Sequence, residues 1–312
     1  MAVLPPDPVF CYKEDMGQIH SLNFCVRGEN FVSHLLAGTE KGGVYFWDLE
    51  TNRLHHKQAM GKSIQAIHTF DYKVLTQEKE GSVKLWSVRK SSYEVEKETT
   101  CGIGFCKSIL INEALIVPQE NSCVDVLQVT DLTKIKQLNP GRENLGQVMA
   151  LQKVTIGNSC CVMAAYETGD VVLWDLNTFQ PCGHIKLQEH LTSLTFDPYT
   201  KRAVCGAASN MLQVFTIDSS YQMALKAEVS ITNEGCNIVK LRPDGKVLVS
   251  GGWDGRLRVF SWRTLRILAV LAEHKNTIMD IQYSPHPVNY WKSNIMAACG
   301  GDGVISLWNL YN

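Results

Sequence analysis

Eleven cysteines and nine histidines give this 312-residue chain ample metal-ligating and nucleophilic side chains, and their spacing decides what chemistry they can do. A structural zinc site asks for two closely spaced cysteine pairs, or such pairs joined by histidines. No C-x-x-C occurs; the nearest pairs are Cys160-Cys161 and Cys101 with Cys106. Adjacent cysteines do not reach ordinary disulfide geometry. The eleven therefore read as free thiols, most of them buried as small hydrophobes in a reducing compartment. The histidines include adjacent His55-His56, but no H-E-x-x-H helix and no G-x-S-x-G elbow is present. Phosphate binding would need a Gly-rich loop opening a helix. There is no G-x-x-x-x-G-K-[ST], and Lys41-Gly42-Gly43 and Gly102-Ile103-Gly104 fall in a turn and a loop with no helical pattern behind them. The reading is a chain without catalytic residues, cofactor or metal, and without GTP.

The elements that would position a site repeat along the chain. Seven anchor positions, Trp47, Trp86, Leu127, Trp174, Phe215, Phe260 and Trp308, lie 39 to 48 residues apart. Five residues before them stand Gly42, Gly81, Ser122, Gly169, Asn210, Gly255 and Gly303. Gly, with Asn and Ser as substitutes, is what a tight turn at positive φ selects. Residues three before, one before and two after each anchor are apolar in every copy, from Val44, Phe46 and Leu49 to Ile305, Leu307 and Leu310. The position two before the anchor varies freely: Tyr45, Lys84, Asp125, Val172, Gln213, Arg258, Ser306. That alternation predicts a strand with one face committed to a core and the other less constrained. A second short apolar run precedes each turn, so each unit holds at least one hairpin.

This repeat length matches one four-stranded propeller blade. The expected fold is all-β: a single seven-bladed β-propeller over residues 1–312, with anchor strands near 44–49, 83–88, 124–129, 171–176, 212–217, 257–262 and 305–310. The seventh unit stops at its anchor strand, and the one unassigned strand-like segment, Val9-Phe10-Cys11-Tyr12, lies at the other end of the chain. A strand at about 8–13 is therefore expected to complete the last blade, pairing an otherwise open edge. The third unit, with Ser122 and Leu127, is the least regular. Arg89 to Thr100 and Thr130 to Gly146 exceed the minimal blade and read as polar connections.

Trp47-Asp48, Trp174-Asp175 and, loosely, Trp308-Asn309 carry the dipeptide for which the WD-repeat β-propellers are named, and the whole chain resembles them. In that family a turn Asp often joins a His of the preceding loop, a strand Ser or Thr, and the Trp in a buried hydrogen-bonded set. Here Asp254 and Asp302 keep the turn Asp, and the seventh unit alone adds His274 and Trp308; elsewhere stand Lys41, Glu80, Asn121, Thr168 and Ser209. The resemblance implies structural roles for His274, Asp254, Asp302 and the anchors Trp47, Trp86, Trp174 and Trp308. It also implies a propeller that relies on apolar packing more than on such sets.

The stretch Gly252-Trp253-Asp254-Gly255-Arg256-Leu257-Arg258-Val259-Phe260-Ser261-Trp262-Arg263-Thr264, with Leu268-Ala269-Val270-Leu271 and His274, is similar to a narrower family. This is the guanine nucleotide-binding protein beta-subunit-like protein 1 group, also called ASTRA-associated protein 1. The opening Pro5-Pro6-Asp7-Pro8-Val9-Phe10 and the end Ile305 to Tyr311 share the likeness. It implies a non-catalytic co-chaperone adaptor acting with the TTT complex in the maturation of phosphatidylinositol 3-kinase-related kinases. A WD-repeat subunit of an ASTRA-like chromatin assembly, or a ubiquitin-ligase substrate receptor, is the alternative. Against the receptor, Trp47-Asp48-Leu49-Glu50 and Trp174-Asp175-Leu176-Asn177 lack the Arg of Trp-Asp-x-Arg.

Partner contact is expected from two places. Trp253, Arg263 and Arg266 lie in the sixth unit, where four arginines could meet an acidic partner or pair with neighbouring carboxylates. Tyr290 and Trp291 lie in the long Pro285–Lys292 loop, where aromatic rings offer large contact area. A net charge of −1 gives no global pull toward nucleic acid. Met1-Ala2-Val3-Leu4-Pro5-Pro6 lacks the basic start and apolar segment of a secretory leader, and Ile267 to Ala272 is too short to span a bilayer. The expected setting is the cytoplasm and the nucleus.

Overall fold

Short apolar alternations bounded by Gly, Asn and Asp turns leave the backbone one economical solution, a series of antiparallel hairpins. The computed structural model describes residues 5–28 and 30–311; the leader reading of Met1 to Leu4 lies outside them. Among the described residues the chain forms strands and no helix, arranged as seven four-stranded antiparallel sheets. It is a seven-bladed β-propeller. The first six sheets take four consecutive strands each, for example Ile19–Arg27, Phe31–Thr39, Gly43–Asp48 and Arg53–Ala59 in the first. The seventh takes Ile278–Tyr283, Met296–Gly300 and Val304–Trp308, and its outermost strand is the N-terminal Phe10–Lys13.

That last pairing runs antiparallel with Phe10 opposite Leu307 and Lys13 opposite Val304, and Val9 N–H donates to Leu307 O at 2.8 Å. The closing strand brings a core residue with it. Tyr12 is 1 % exposed, stacks on Trp47 with ring centroids 4.4 Å apart and donates its hydroxyl to Asn52 Oδ1 at 3.0 Å.

Contacts divide the molecule into two compact units, one made of the chain up to Glu98 together with the part from Arg242 onward, the other Thr99–Leu241. The first is built around Tyr12, Met16, Leu35, Trp47, Ile295 and Leu307. Its blades are also stitched by buried polar contacts: Leu22 N–H donates to Asp280 Oδ2 at 2.9 Å and Ile67 N–H to Ser21 Oγ at 2.9 Å. The second unit packs Leu173, Phe196 and Phe215 in one cluster and Ile116, Leu151 and Trp174 in another.

The third sheet is complete, with strands Ile109–Ile111, Ala114–Pro118, Val124–Gln128 and Lys134–Leu138. Asn121 and Ser122 both take positive φ, 56° and 61°, the paired left-handed geometry of a tight hairpin. Asn210 differs from expectation, since it is not in the left-handed region. Its turn is held instead by Met211 N–H donating to Ser209 Oγ at 3.2 Å. At Gly42 the turn has a second demand, because a Cβ there would run into the carbonyl of Gly61.

Three further expectations are corrected. Residues 92–100 are no loop but the nine-residue outer strand of the second sheet, and Lys134–Leu138 is the outer strand of the third. Their polar character reflects an outer edge facing water rather than irregular backbone. Val88, two after its anchor, is 54 % exposed, because its strand runs on to Arg89 beyond the core. The position two before the anchor is not free either: Asp125, Val172, Gln213, Arg258 and Ser306 are all buried.

Candidate functional site

A buried set of four hydrogen-bonded side chains grows from the seventh blade's hairpin. The turn at Gly303 places Asp302 at the head of the strand Val304–Trp308, and the loop before Ile278–Tyr283 carries His274 back over it. His274 Nδ1 stands 3.1 Å from Asp302 Oδ1, its Nε2 2.8 Å from Ser306 Oγ, and Trp308 Nε1 donates to the same Oγ at 2.7 Å. An ionised carboxylate only accepts, so Nδ1–H of the imidazole donates to Asp302; Ser306 Oγ accepts the indole N–H and donates its O–H to Nε2. Burial pushes the Asp302 carboxyl up, but hydrogen bonds from His274 and the N–H of Lys275 outweigh it and hold the group below the usual carboxylate value. Within this set of four, both imidazole nitrogens, the Ser306 hydroxyl and the Trp308 indole N–H are each spent on a neighbour, with His274 2 % and Ser306 0 % exposed. The arrangement ties loop to strand and presents no open group to a substrate.

Elsewhere the same location is filled with different chemistry. In the sixth blade Arg258, 3 % exposed, forks onto Asp254 with Nη2 donating to Oδ2 at 2.7 Å and Nη1 to Oδ1 at 3.2 Å. In the second, Lys84 meets Glu78 at 2.5 Å, and Trp86 Nε1 donates to Thr76 Oγ1 at 2.9 Å. In the third, buried Asp125 takes Lys134 at 2.6 Å and the amides of Gln119 and Gln137. In the fourth, Asp170 gathers Lys186, His184 and the Thr168 hydroxyl at 2.6 to 2.8 Å. In the fifth, Gln213 donates to Glu228 at 2.7 Å. Burial raises the carboxyls of Asp170 and Asp254, and their bonds to Lys186, His184 and Thr168 and to Arg258 respectively more than offset this. Apolar packing is expected to carry these blades more than such sets do; in place of the Asp–His–Ser–Trp set each of these five blades holds an ion pair or an amide–carboxylate pair. The signal lay in the seemingly free position two before the anchor, which supplies Lys84, Asp125, Gln213, Arg258 and Ser306. Trp47 and Trp174 differ, since their indole N–H groups find no partner among the described residues.

The proposed contact residues fall on different rims. Trp253, 47 % exposed, sits in the turn joining Val247–Gly252 to Leu257–Ser261. Arg263 and Arg266 sit in the next turn, at the opposite end of those antiparallel strands, exposed and without ion pairs among the described residues. Of the four arginines, Arg258 is withdrawn into its pair with Asp254, and Arg256 reaches the carbonyl of Ala272 at 3.3 Å. The Pro285–Lys292 loop leans toward the first blade, with Asn289 Nδ2 donating to Glu50 Oε1 at 3.4 Å. Within it Trp291 packs on the core cluster, while Tyr290, edge-on to it at 5.0 Å, is 60 % exposed.

All eleven cysteines are free thiols. Among the described residues no three His, Cys, Asp or Glu side chains gather as a metal set, and no helix is long and apolar enough to cross a membrane.

Known proteins are similar to this chain in sequence. The family described as "WD domain, G-beta repeat" matches residues 230–261 and 265–309, the sixth and seventh blades. "Guanine nucleotide-binding protein subunit beta-like protein 1" of Mus musculus is 28% identical over 323 aligned positions, covering 98% of this chain and 97% of the mouse protein. "ASTRA-associated protein 1" of Schizosaccharomyces japonicus is 24% identical, covering 98% of this chain and 99% of its own length. Its namesake in Schizosaccharomyces pombe is 42% identical over 73 residues, which cover 23% of this chain and 18% of the pombe protein. The chain carries WD repeats on a seven-bladed propeller, with homologues bearing these two names.

Proposed function

We propose that this protein is a non-catalytic interaction scaffold that works, as a single propeller, beside the TTT co-chaperone complex in the maturation and stability of phosphatidylinositol 3-kinase-related kinases. WD repeats and homologues named for association with ASTRA support a scaffold role. The observation that carries the reading is the spending of polar side chains on the blades themselves: His274, the best-placed histidine, is closed on both nitrogens by Asp302 and Ser306. What remains exposed is suited to contact, namely Trp253 on one rim, Arg263 and Arg266 together on the other, and Tyr290 in the Pro285–Lys292 loop. The narrower assignment to TTT and these kinases rests on the family resemblance of the sixth and seventh blades, and it carries with it a cytoplasmic and nuclear location and no direct contact with nucleic acid, GTP or membrane.

Affinity purification of the tagged full chain from cells, followed by mass spectrometry, tests it. Recovery of TTT subunits with unassembled kinases is expected. Recovery of cullin adaptors, or of a chromatin assembly without TTT, overturns the co-chaperone reading, and imaging of the tagged chain outside cytoplasm and nucleus overturns the location.

A further inference from the structure

Seven outer strands ring the blades, and an outer strand exposes a row of backbone N–H and C=O groups that invites another chain to pair. Lysine on the edge is the usual protection, and six of the seven use it: Lys57, Lys97, Lys134 with Lys136, Lys186, Lys226 and Lys13. The outer strand of the sixth blade, Ile267–Leu271, has none. It reads Ile-Leu-Ala-Val-Leu, and Ile267, Leu268 and Val270 are 52 %, 45 % and 40 % exposed. The register shift beside Leu268 does not set it apart, since the first, third, fourth and fifth sheets carry the same shift against their outer strands. Beyond the shift Ala269, Val270 and Leu271 continue a regular ladder against Val259, Arg258 and Leu257.

Charge around this edge is one-sided. Arg263 and Arg266 stand exposed in the turn that leads into it, and Lys275 is exposed beyond its other end. The nearby carboxylates are engaged: Asp254 by Arg258, and Glu273 by Lys13 at 3.4 Å. A second copy pairing antiparallel about Ala269 would bring Arg263 beside Lys275, like charge against like.

We propose that Ile267–Leu271 is a strand-addition site for an extended segment of another protein, β-branched at alternate positions and acidic where it passes Arg263 and Arg266. The segment adds a fifth strand to the sixth blade. Its main-chain groups supply affinity, its apolar side chains cover Ile267, Leu268 and Val270, and its carboxylates set the direction in which it lies. This does not depend on which assembly the protein serves.

The probe is a fluorescein-labelled synthetic peptide, three Asp residues followed by four Val-Thr repeats, titrated by anisotropy against the full chain. Saturable binding is expected, with hydrogen-exchange protection confined to the amides of 267–271. Exchanging the three Asp for Lys, or replacing Arg263 and Arg266 by Glu, is expected to weaken binding about tenfold. N-methylation of alternate peptide amides, or Val270→Lys, is expected to abolish it, while the melting temperature of these exposed-site variants holds. Equal binding of the Asp and Lys peptides, binding that survives N-methylation, or protection elsewhere overturns the proposal, as does an absence of binding. Sedimentation showing a dimer that Val270→Lys dissolves would assign the edge to a second copy and overturn it as well.

Discussion

Replacing Tyr12 by Ala tests how the last blade is held. The side chain is buried from edge to hydroxyl, stacks on Trp47 and bonds Asn52. An aromatic ring of this size buries about 150–250 Å². At about 25 cal/mol per Å² that is an upper bound of about 4–6 kcal/mol, and buried aromatic-to-Ala substitutions cost about 3–5 kcal/mol. For 312 residues melting together, an unfolding entropy of about 2.1 cal/mol/K per residue makes each kcal/mol worth about 1.5 °C. The variant should melt about 5–8 °C lower, and further if a smaller unit unfolds by itself. Tyr12→Phe, which loses only the bond to Asn52, should fall by about 1 kcal/mol. Lys13→Ala, whose pair with Glu273 is 64 % exposed at the lysine, should be near neutral. Removing residues 1–14 should cost at least as much as Tyr12→Ala. Scanning calorimetry with urea titration is the assay. A drop below about 2 °C for Tyr12→Ala, or equal effects of the Ala and Phe variants, would refute the claim that Tyr12 fastens the closing strand to the core.

Ser306→Ala strands both His274 Nε2 and Trp308 Nε1, and should cost about 2–3 kcal/mol in urea denaturation. Combined with His274→Ala it should cost clearly less than the two separately, because they share one hydrogen-bonded chain. The carboxyls of Asp170, Asp254 and Asp302 sit below their usual value in the folded state. Their contribution is therefore complete above the ordinary carboxylate value of 3.8 and is lost as pH falls through the lower folded values. Urea midpoints should decline steeply from about pH 4 downward. Asp254→Asn should flatten that limb while costing about 3–5 kcal/mol at neutral pH by leaving Arg258 buried and unpaired. Trp253→Ala and Tyr290→Ala should change stability by less than about 0.5 kcal/mol. Loss of partner recovery from either would show which rim makes contact.

The blade repeat was readable because a turn at positive φ and a strand two residues in period leave marks in a single sequence. Gly42, Gly81, Gly169, Gly255 and Gly303 all take positive φ, and the closing strand followed from counting strands in the last unit. Asn210 misled because Asn serves both left-handed and ordinary turns. Lys84, Asp125, Gln213 and Arg258 hid in plain sight: their types vary, and only the partners they meet in the fold reveal one location used by different pairs. The outer strands Ser92–Thr100 and Lys134–Leu138 looked like loops because an edge in water has no apolar period to display. Direction was also invisible, since sequence proximity placed Trp253 beside Arg263 while the strands carry them to opposite rims.

The variety of these buried pairs bears on how seven look-alike units sort themselves while the chain folds. A strand that docked in the wrong blade would find its apolar residues welcome, since those positions are nearly interchangeable. Its polar residue would not be: Arg258 in the place of Ser306 would meet His274 instead of Asp254, and Lys84 in the place of Asp125 would meet Lys134. An uncompensated buried charge costs several kcal/mol. Each blade thus carries its own key, and mispaired assemblies are penalised before they can compete.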